Sequence, residues 1–182
     1  YDNFLRMLVS AKAEIENMLS NYDAGRILRE GIDTVIAGKP NVGKSTFMNM
    51  LSGAERSIVT DVAGTTRDVI EDTVTVGDIT LRLADTAGIH NTDDTVESIG
   101  VKRAKERIDF AELVLAVFDG TSELDKDDLD LISNIKNKNT IIIINKTDLK
   151  NKIDTSVFDG FRIVEISAKL KTGYEKLSKE IA

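Results

Sequence analysis

The sequence predicts an α/β protein built on a mostly parallel six-stranded sheet with one antiparallel pair, helices on both faces and a helical arm in front. Three observations predict this. Short β-branched apolar runs alternate with helix-period segments from Ile32 onward. Runs such as Val114-Leu115-Ala116-Val117 and Ile141 to Ile144 are continuously apolar, as strands covered on both faces are. A glycine-rich loop, Gly38-Lys39-Pro40-Asn41-Val42-Gly43-Lys44-Ser45, separates the first strand of the alternation from its first helix.

The 182 residues, 41% hydrophobic, suffice for one domain with a full core plus an appendage. The sequence contains no cysteine, which excludes disulfides, thiolate metal sites and thiol catalysis. A net charge of −7 argues against this segment itself gripping a nucleic-acid backbone, because that affinity comes from Lys and Arg neutralising phosphates. No apolar run approaches the ~20 residues of a membrane helix, so no membrane partner and a cytoplasmic setting are expected. The chain starts at Tyr1, inside a helical pattern, and reads as a piece of a longer protein.

Each element carries its own signal. Residues 1–30 read as a helical arm or linker from an adjacent helical domain, with apolar Leu5, Leu8, Ile15, Met18, Leu19, Ile27 and Leu28 at loosely helical spacing that Gly25 and Gly31 interrupt. That stripe either packs on the rest of the chain or faces another domain. Residues 31–182 form the second unit. Its strands are expected at 33–37, 69–76, 79–85, 112–118, 140–144 and 162–166, the second and third joined as a hairpin at Gly77-Asp78. Helices are expected at 44–52, 97–108, 125–137 and 173–181.

A glycine-rich turn from strand to helix is a phosphate cradle. In it the backbone N–H groups of Asn41, Val42, Gly43, Lys44, Ser45 and Thr46 converge on a β-phosphate, Lys44 reaches the β- and γ-phosphates, and the Ser45 hydroxyl suits Mg²⁺. Asn145-Lys146-Thr147-Asp148 follows a strand at the same sheet edge. The Asp148 carboxylate can accept from guanine N1–H and the N2 amino group, a donor pair adenine lacks; the wrong base leaves a buried acceptor unpaired at about 1–3 kcal/mol. GTP is therefore the expected nucleotide. Asn145 is positioned to hold the phosphate and base loops together, and the Lys146 stem to lie on the purine face. Ser167-Ala168-Lys169 is a third base loop, its Ala168 N–H aimed at guanine O6. Asp85-Thr86-Ala87-Gly88 ends a strand, placing Asp85 beside Mg²⁺ through a water and the Gly88 N–H near the γ-phosphate.

Many signalling GTPases carry a water-orienting Gln directly after Asp-x-x-Gly, but Ile89 stands here and cannot orient water. The acidic residues Asp93, Asp94 and Glu97 are the candidates to replace it. Arg67 reads as an ion-pairing or exposed side chain, and His90 is given no catalytic task.

The loop Gly64-Thr65-Thr66-Arg67-Asp68, the Asn41 of the cradle, and Asp85 to Ile89 followed by Asp93-Asp94-Thr95-Val96-Glu97-Ser98-Ile99-Gly100 resemble the G domain of the MnmE (TrmE) family of tRNA-modification GTPases, over roughly residues 30–182. The Gly-Thr-Thr-Arg-Asp loop alone is shared with Der-type ribosome-assembly and hydrogenase-maturation GTPases; the Asp-Asp-x-Val-Glu-x-Ile-Gly stretch favours MnmE. The resemblance implies a Ras-like G domain that binds and hydrolyses GTP, with Glu97 and Lys44 catalytic and a first switch, Thr60-Asp61-Val62-Ala63-Gly64-Thr65-Thr66, against the nucleotide. It further implies Mg²⁺ on Ser45 and Thr66, and K⁺ on Asn41, Thr60, Val62 and Thr65 in place of an arginine finger. K⁺ binding accompanies pairing of two G domains in that family. Its full-length members work with tRNA and an FAD-dependent MnmG-type partner, neither bound through this domain. The alternative is a nucleotide-gated switch module of a Der-type or hydrogenase-maturation GTPase.

Overall fold

The computed structural model describes residues 2–54, 72–83 and 105–182. Helix α1 (Asp2–Glu30) leads into strand β1 (Ile32–Ala37), helix α2 (Lys44–Ala54) and the hairpin β2 (Asp72–Val76) and β3 (Ile79–Leu83). After a helical stretch at 105–110 come β4 (Leu113–Asp119), α3 (Lys126–Ile135), β5 (Thr140–Asn145), a short 3-10 turn (Thr155–Phe158), β6 (Arg162–Glu165) and α4 (Tyr174–Ile181). The sheet order is β2-β3-β1-β4-β5-β6, and β2–β3 is the antiparallel pair. The predicted six-stranded architecture therefore holds. Of the expected elements, residues 69–71, 84–85 and 97–104 lie outside the described residues.

Strand alternation divides the core into two layers. Leu113, Leu115 and Val117 of β4 and Ile141 and Ile143 of β5 join Phe47 and Leu51 of α2 and Leu177 of α4 on one face. Val114, Ala116 and Phe118, with Ile142 and Ile144, meet Ile108, Ile135 and Phe158 on the other. Both faces being apolar explains the unbroken hydrophobic runs. Each fully buried large side chain contributes about 1.5–3 kcal/mol, and Phe158 adds a tilted ring contact with Phe118 at 4.9 Å between centroids.

Local chemistry sets the element ends. Asp125 caps α3 by accepting from the N–H groups of Asp127 and Asp128, while Asp128 accepts from the Asp125 N–H. The helix expected from residue 125 thus begins one residue later. Gly77 opens the hairpin turn with φ 62°, and a Cβ there would lie 2.7 Å from Ser178 Oγ. Helix α1 departs from expectation in running through Gly25, which costs about 1 kcal/mol relative to Ala. It stops at Gly31, whose φ of 80° suits the left-handed residue after a helix and whose N–H bonds Ile27 O at 2.9 Å. Arg26 then pairs with Glu112 at 2.6 Å, and Glu112 also accepts from the Asp33 N–H at 3.1 Å, tying the end of α1 to β1 and the start of β4. Met7, Leu8, Val9, Ile15, Tyr22 and Leu28 of α1 are exposed.

Candidate nucleotide-binding site

Because β1, β4, β5 and β6 run parallel, their C-terminal ends open on one edge, and the loops following them meet there. The phosphate loop follows β1. Its backbone takes conformations that side chains resist: Gly38 has φ 150°, Asn41 φ 65° and Gly43 φ 100°. At Gly43 a Cβ would collide with the Asn145 amide nitrogen, so the two loops touch there and glycine is required. Lys44, first residue of α2, donates to Gly38 O at 2.8 Å and Lys39 O at 2.6 Å. Burial pushes the Lys44 ammonium below its ordinary pKa. Ser45 and Thr46 follow on the exposed side of the same turn.

Asn145 is the last residue of β5 rather than the first residue beyond it, and it is 3% exposed. Its amide donates to Val42 O at 2.9 Å, and its Oδ1 accepts from the Ala168 N–H at 3.0 Å. One side chain thus joins the phosphate loop to the base loop, as expected of Asn145, and also ties in the Ser167-Ala168-Lys169 loop, which was not expected. The Ala168 N–H differs from expectation: aimed at guanine from sequence, it is engaged by Asn145 here. Asp148 is exposed, and its Oδ1 accepts from the buried Ser167 hydroxyl at 2.6 Å, which orients the carboxylate. Lys146, with φ 66°, donates to Asn41 O at 2.9 Å. Gly43, Thr46, Asn145, Lys146, Asp148 and Lys169 line a cleft of about 250 Å³.

Two neighbours of these loops were not legible as site residues. Asp119, last residue of β4, pairs with Lys146 at 2.5 Å and accepts from the Thr121 hydroxyl at 2.6 Å. Burial disfavours the Asp119 charge, but the bonds from Lys146 and Thr121 outweigh it and hold the carboxyl below its ordinary pKa. Lys39 bridges to Asp125 and Asp128 at the start of α3. Burial opposes its charge as well, yet the two carboxylates leave its pKa raised. Thr60, Asp61, Val62, Ala63, Gly64, Thr65, Thr66, Asp85, Thr86, Ala87, Gly88 and Glu97 lie outside the described residues. Among the described residues no three His, Cys, Asp or Glu side chains cluster as a metal site, and no helix is long and apolar enough to cross a membrane.

A phosphate loop at the C-terminal edge of a parallel sheet, stitched by a buried Asn to an Asn-Lys-x-Asp loop, defines the GTP-hydrolysing class of phosphate-loop proteins. The model of the 50S ribosome-binding GTPases matches residues 33–146, so the chain belongs to that family, as a G domain of the MnmE type. It is 42% identical over 186 residues to the tRNA modification GTPase MnmE of Natranaerobius thermophilus, covering all of this chain and 41% of that protein. Identity to the tRNA modification GTPase MnmE of Lactococcus lactis subsp. lactis is 51% over 154 residues, 85% of this chain and 34% of that protein. The chain thus spans about two-fifths or less of these relatives' length. Among solved structures, the FeoB G-domain from Methanococcus jannaschii superposes with a TM-score of 0.59 at 27% identity, covering 82% of this chain and 94% of that one. A variant of Era from Aquifex aeolicus gives 0.58 at 29%, covering 82% and 55%.

Proposed function

We propose that this chain is the GTP-hydrolysing module of a tRNA wobble-uridine modification enzyme, Mg²⁺-dependent and stimulated by K⁺ through pairing of two G domains. The observation that carries the nucleotide reading is Asn145, whose single amide bonds Val42 O and the Ala168 N–H and so welds the phosphate-binding and base-binding loops into one cleft. In that cleft Lys44 and the N–H groups of residues 41–46 bind the phosphates, and Asp148, oriented by Ser167, reads the guanine edge. Resemblance of the flanking motif to MnmE assigns Glu97 to orienting the attacking water. The relatives' name, tRNA modification GTPase, supports the larger setting.

The donors proposed for the cations are oxygens: the Ser45 and Thr66 hydroxyls with Asp85 through water for Mg²⁺, and oxygens of Asn41, Thr60, Val62 and Thr65 for K⁺. Such a set suits hard cations and not soft metals. When bound, these cations neutralise charge developing on the phosphates. The chain's own groups position the phosphates and the base.

Equilibrium titration and turnover test the reading together. GDP and GTP are expected to bind and ADP and ATP not, with GTP hydrolysis faster in K⁺ than in Na⁺ and rising more than linearly with protein concentration. Comparable ADP affinity overturns the guanine assignment. Equal K⁺ and Na⁺ rates at high protein concentration overturn the cation and pairing assignments.

A further inference from the structure

Lys39 occupies a position that the phosphate-loop pattern leaves open, and the nucleotide reading gives it no task. Its ammonium lies 2.5 Å from Asp125 Oδ2 and 2.7 Å from Asp128 Oδ2. Asp128 is 4% exposed, and the same oxygen accepts from the Asp125 N–H at 3.1 Å. Both carboxylates also build the cap of α3, so one side chain of the phosphate loop is locked into a helix terminus 86 residues away in sequence. The main chain of Lys39 serves a second partner. Its carbonyl, with that of Gly38, accepts from the Lys44 ammonium.

The local backbone transmits one anchorage to the other. Pro40 restricts the residue before it to extended conformations, so fixing the Lys39 side chain leaves its carbonyl little freedom. The anchor is also stiff, because parting the pair strands a buried carboxylate without its counter-charge.

We propose that Lys39 is a positioning residue for nucleotide binding: its ion pair with Asp125 and Asp128 fixes the peptide whose carbonyl holds the Lys44 ammonium, so the cap of α3 determines where the phosphate-binding lysine stands. The consequence is a loss confined to phosphate recognition. Among the described residues, Asp148 and Ser167 share no hydrogen bond or ion pair with Lys39, Asp125 or Asp128.

The inference rests on the cleft being a guanine-nucleotide site, and one experiment separates the two. GDP and IDP are titrated against the unaltered chain, Lys39→Met, Asp128→Asn, the double variant Lys39→Met/Asp128→Asn, and Lys39→Arg, with a thermal melt of each. IDP lacks the N2 amino group that Asp148 reads, so the GDP-to-IDP ratio reports the base side alone. The expected result is a loss of about tenfold in affinity for both nucleotides in Lys39→Met and Asp128→Asn, of the size small misplacements produce, with the GDP-to-IDP ratio unchanged. The double variant is expected to lose no more than Lys39→Met alone, since removing the ammonium already removes its pair with Asp128. Lys39→Arg is expected to retain affinity. A single variant that fails to fold does not weaken the test, because the double variant leaves no buried charge unpaired. Undiminished GDP affinity in the folded double variant, or additive losses, overturns the clamp. If the unaltered chain binds neither nucleotide, the site reading falls and the clamp with it.

Discussion

Lys146 and Asp119 form an ion pair at 2.5 Å across the ends of two adjacent parallel strands, and the same ammonium reaches Asn41 O at 2.9 Å. A charge at the end of β4 therefore holds the lysine that bridges the base loop to the phosphate loop. Asp119→Ala removes one partner and leaves a half-buried ammonium short of its acceptor, which costs about 1–3 kcal/mol. A urea unfolding midpoint lowered without a change in slope, together with weaker GDP binding, is the expected outcome. An unchanged midpoint rejects it.

The same pair has a pH signature. Asp119 titrates below its ordinary value of 3.8 because the bonds from Lys146 and Thr121 outweigh its burial. A carboxyl whose pKa is depressed on folding stabilises the fold fully above its unfolded pKa, and that contribution fades as pH falls through the folded value. The stability gap between the unaltered protein and Asp119→Asn is therefore constant from neutral pH to about pH 5 and closes below about pH 4. Unfolding titrations at stepped pH read this directly; a gap that widens on acidification contradicts it.

Asn145 donates to one loop and accepts from another while almost completely buried. Asn145→Ala leaves Val42 O and the Ala168 N–H without that partner. Two disrupted buried bonds at about 1–3 kcal/mol each predict both a lower melting temperature and a GDP affinity reduced at least tenfold. Calorimetric titration on the folded variant separates the two effects, and affinity within twofold of the unaltered chain argues against the stitching role.

Asp148→Asn exchanges an acceptor pair for an amide that also donates. Xanthine carries a carbonyl where guanine carries the N2 amino group, so the variant is expected to prefer XDP over GDP, reversing the original order. Competition between the two nucleotides for a fluorescent reporter reads the ranking. Retained guanine preference would displace Asp148 from base recognition.

Glu97 is proposed as the water-orienting residue. Glu97→Ala is expected to leave the Kd for GTP intact and slow turnover by about 10²-fold or more. Single-turnover phosphate release measures this, and full activity points instead to Asp93 or Asp94.

Features encoded in consecutive residues were legible in the sequence, whereas those that depend on strand register mostly were not. Ile141 to Ile144 announced a strand covered on both faces, and Gly77-Asp78 announced a hairpin, because each signal is local. The convergence of Asn145 on the phosphate loop was legible from its place after an apolar run. Asp119 was not, since only the register that sets Asp119 opposite Asn145 brings it to Lys146. Lys39 escaped for the same reason, its carboxylate partners lying on a helix that begins beyond β4. The Thr155–Phe158 turn was missed because its cap at Asp154 and the packing of Phe158 on Phe118 span an otherwise patternless stretch. Gly25 misled in the opposite direction, since nothing lies within 4 Å of the Cβ it lacks and the helix continues through it.

Strand β1 ends in the phosphate loop and begins where Asp33 meets Glu112, the partner of Arg26. Its six residues span about 20 Å at the usual rise of 3.3 Å per residue. Flanked by β3 and β4, it joins the Arg26–Glu112 latch at one end to the phosphate loop at the other. Removing the Arg26–Glu112 pair therefore loosens the junction of arm and sheet at the end of β1 opposite the phosphate loop.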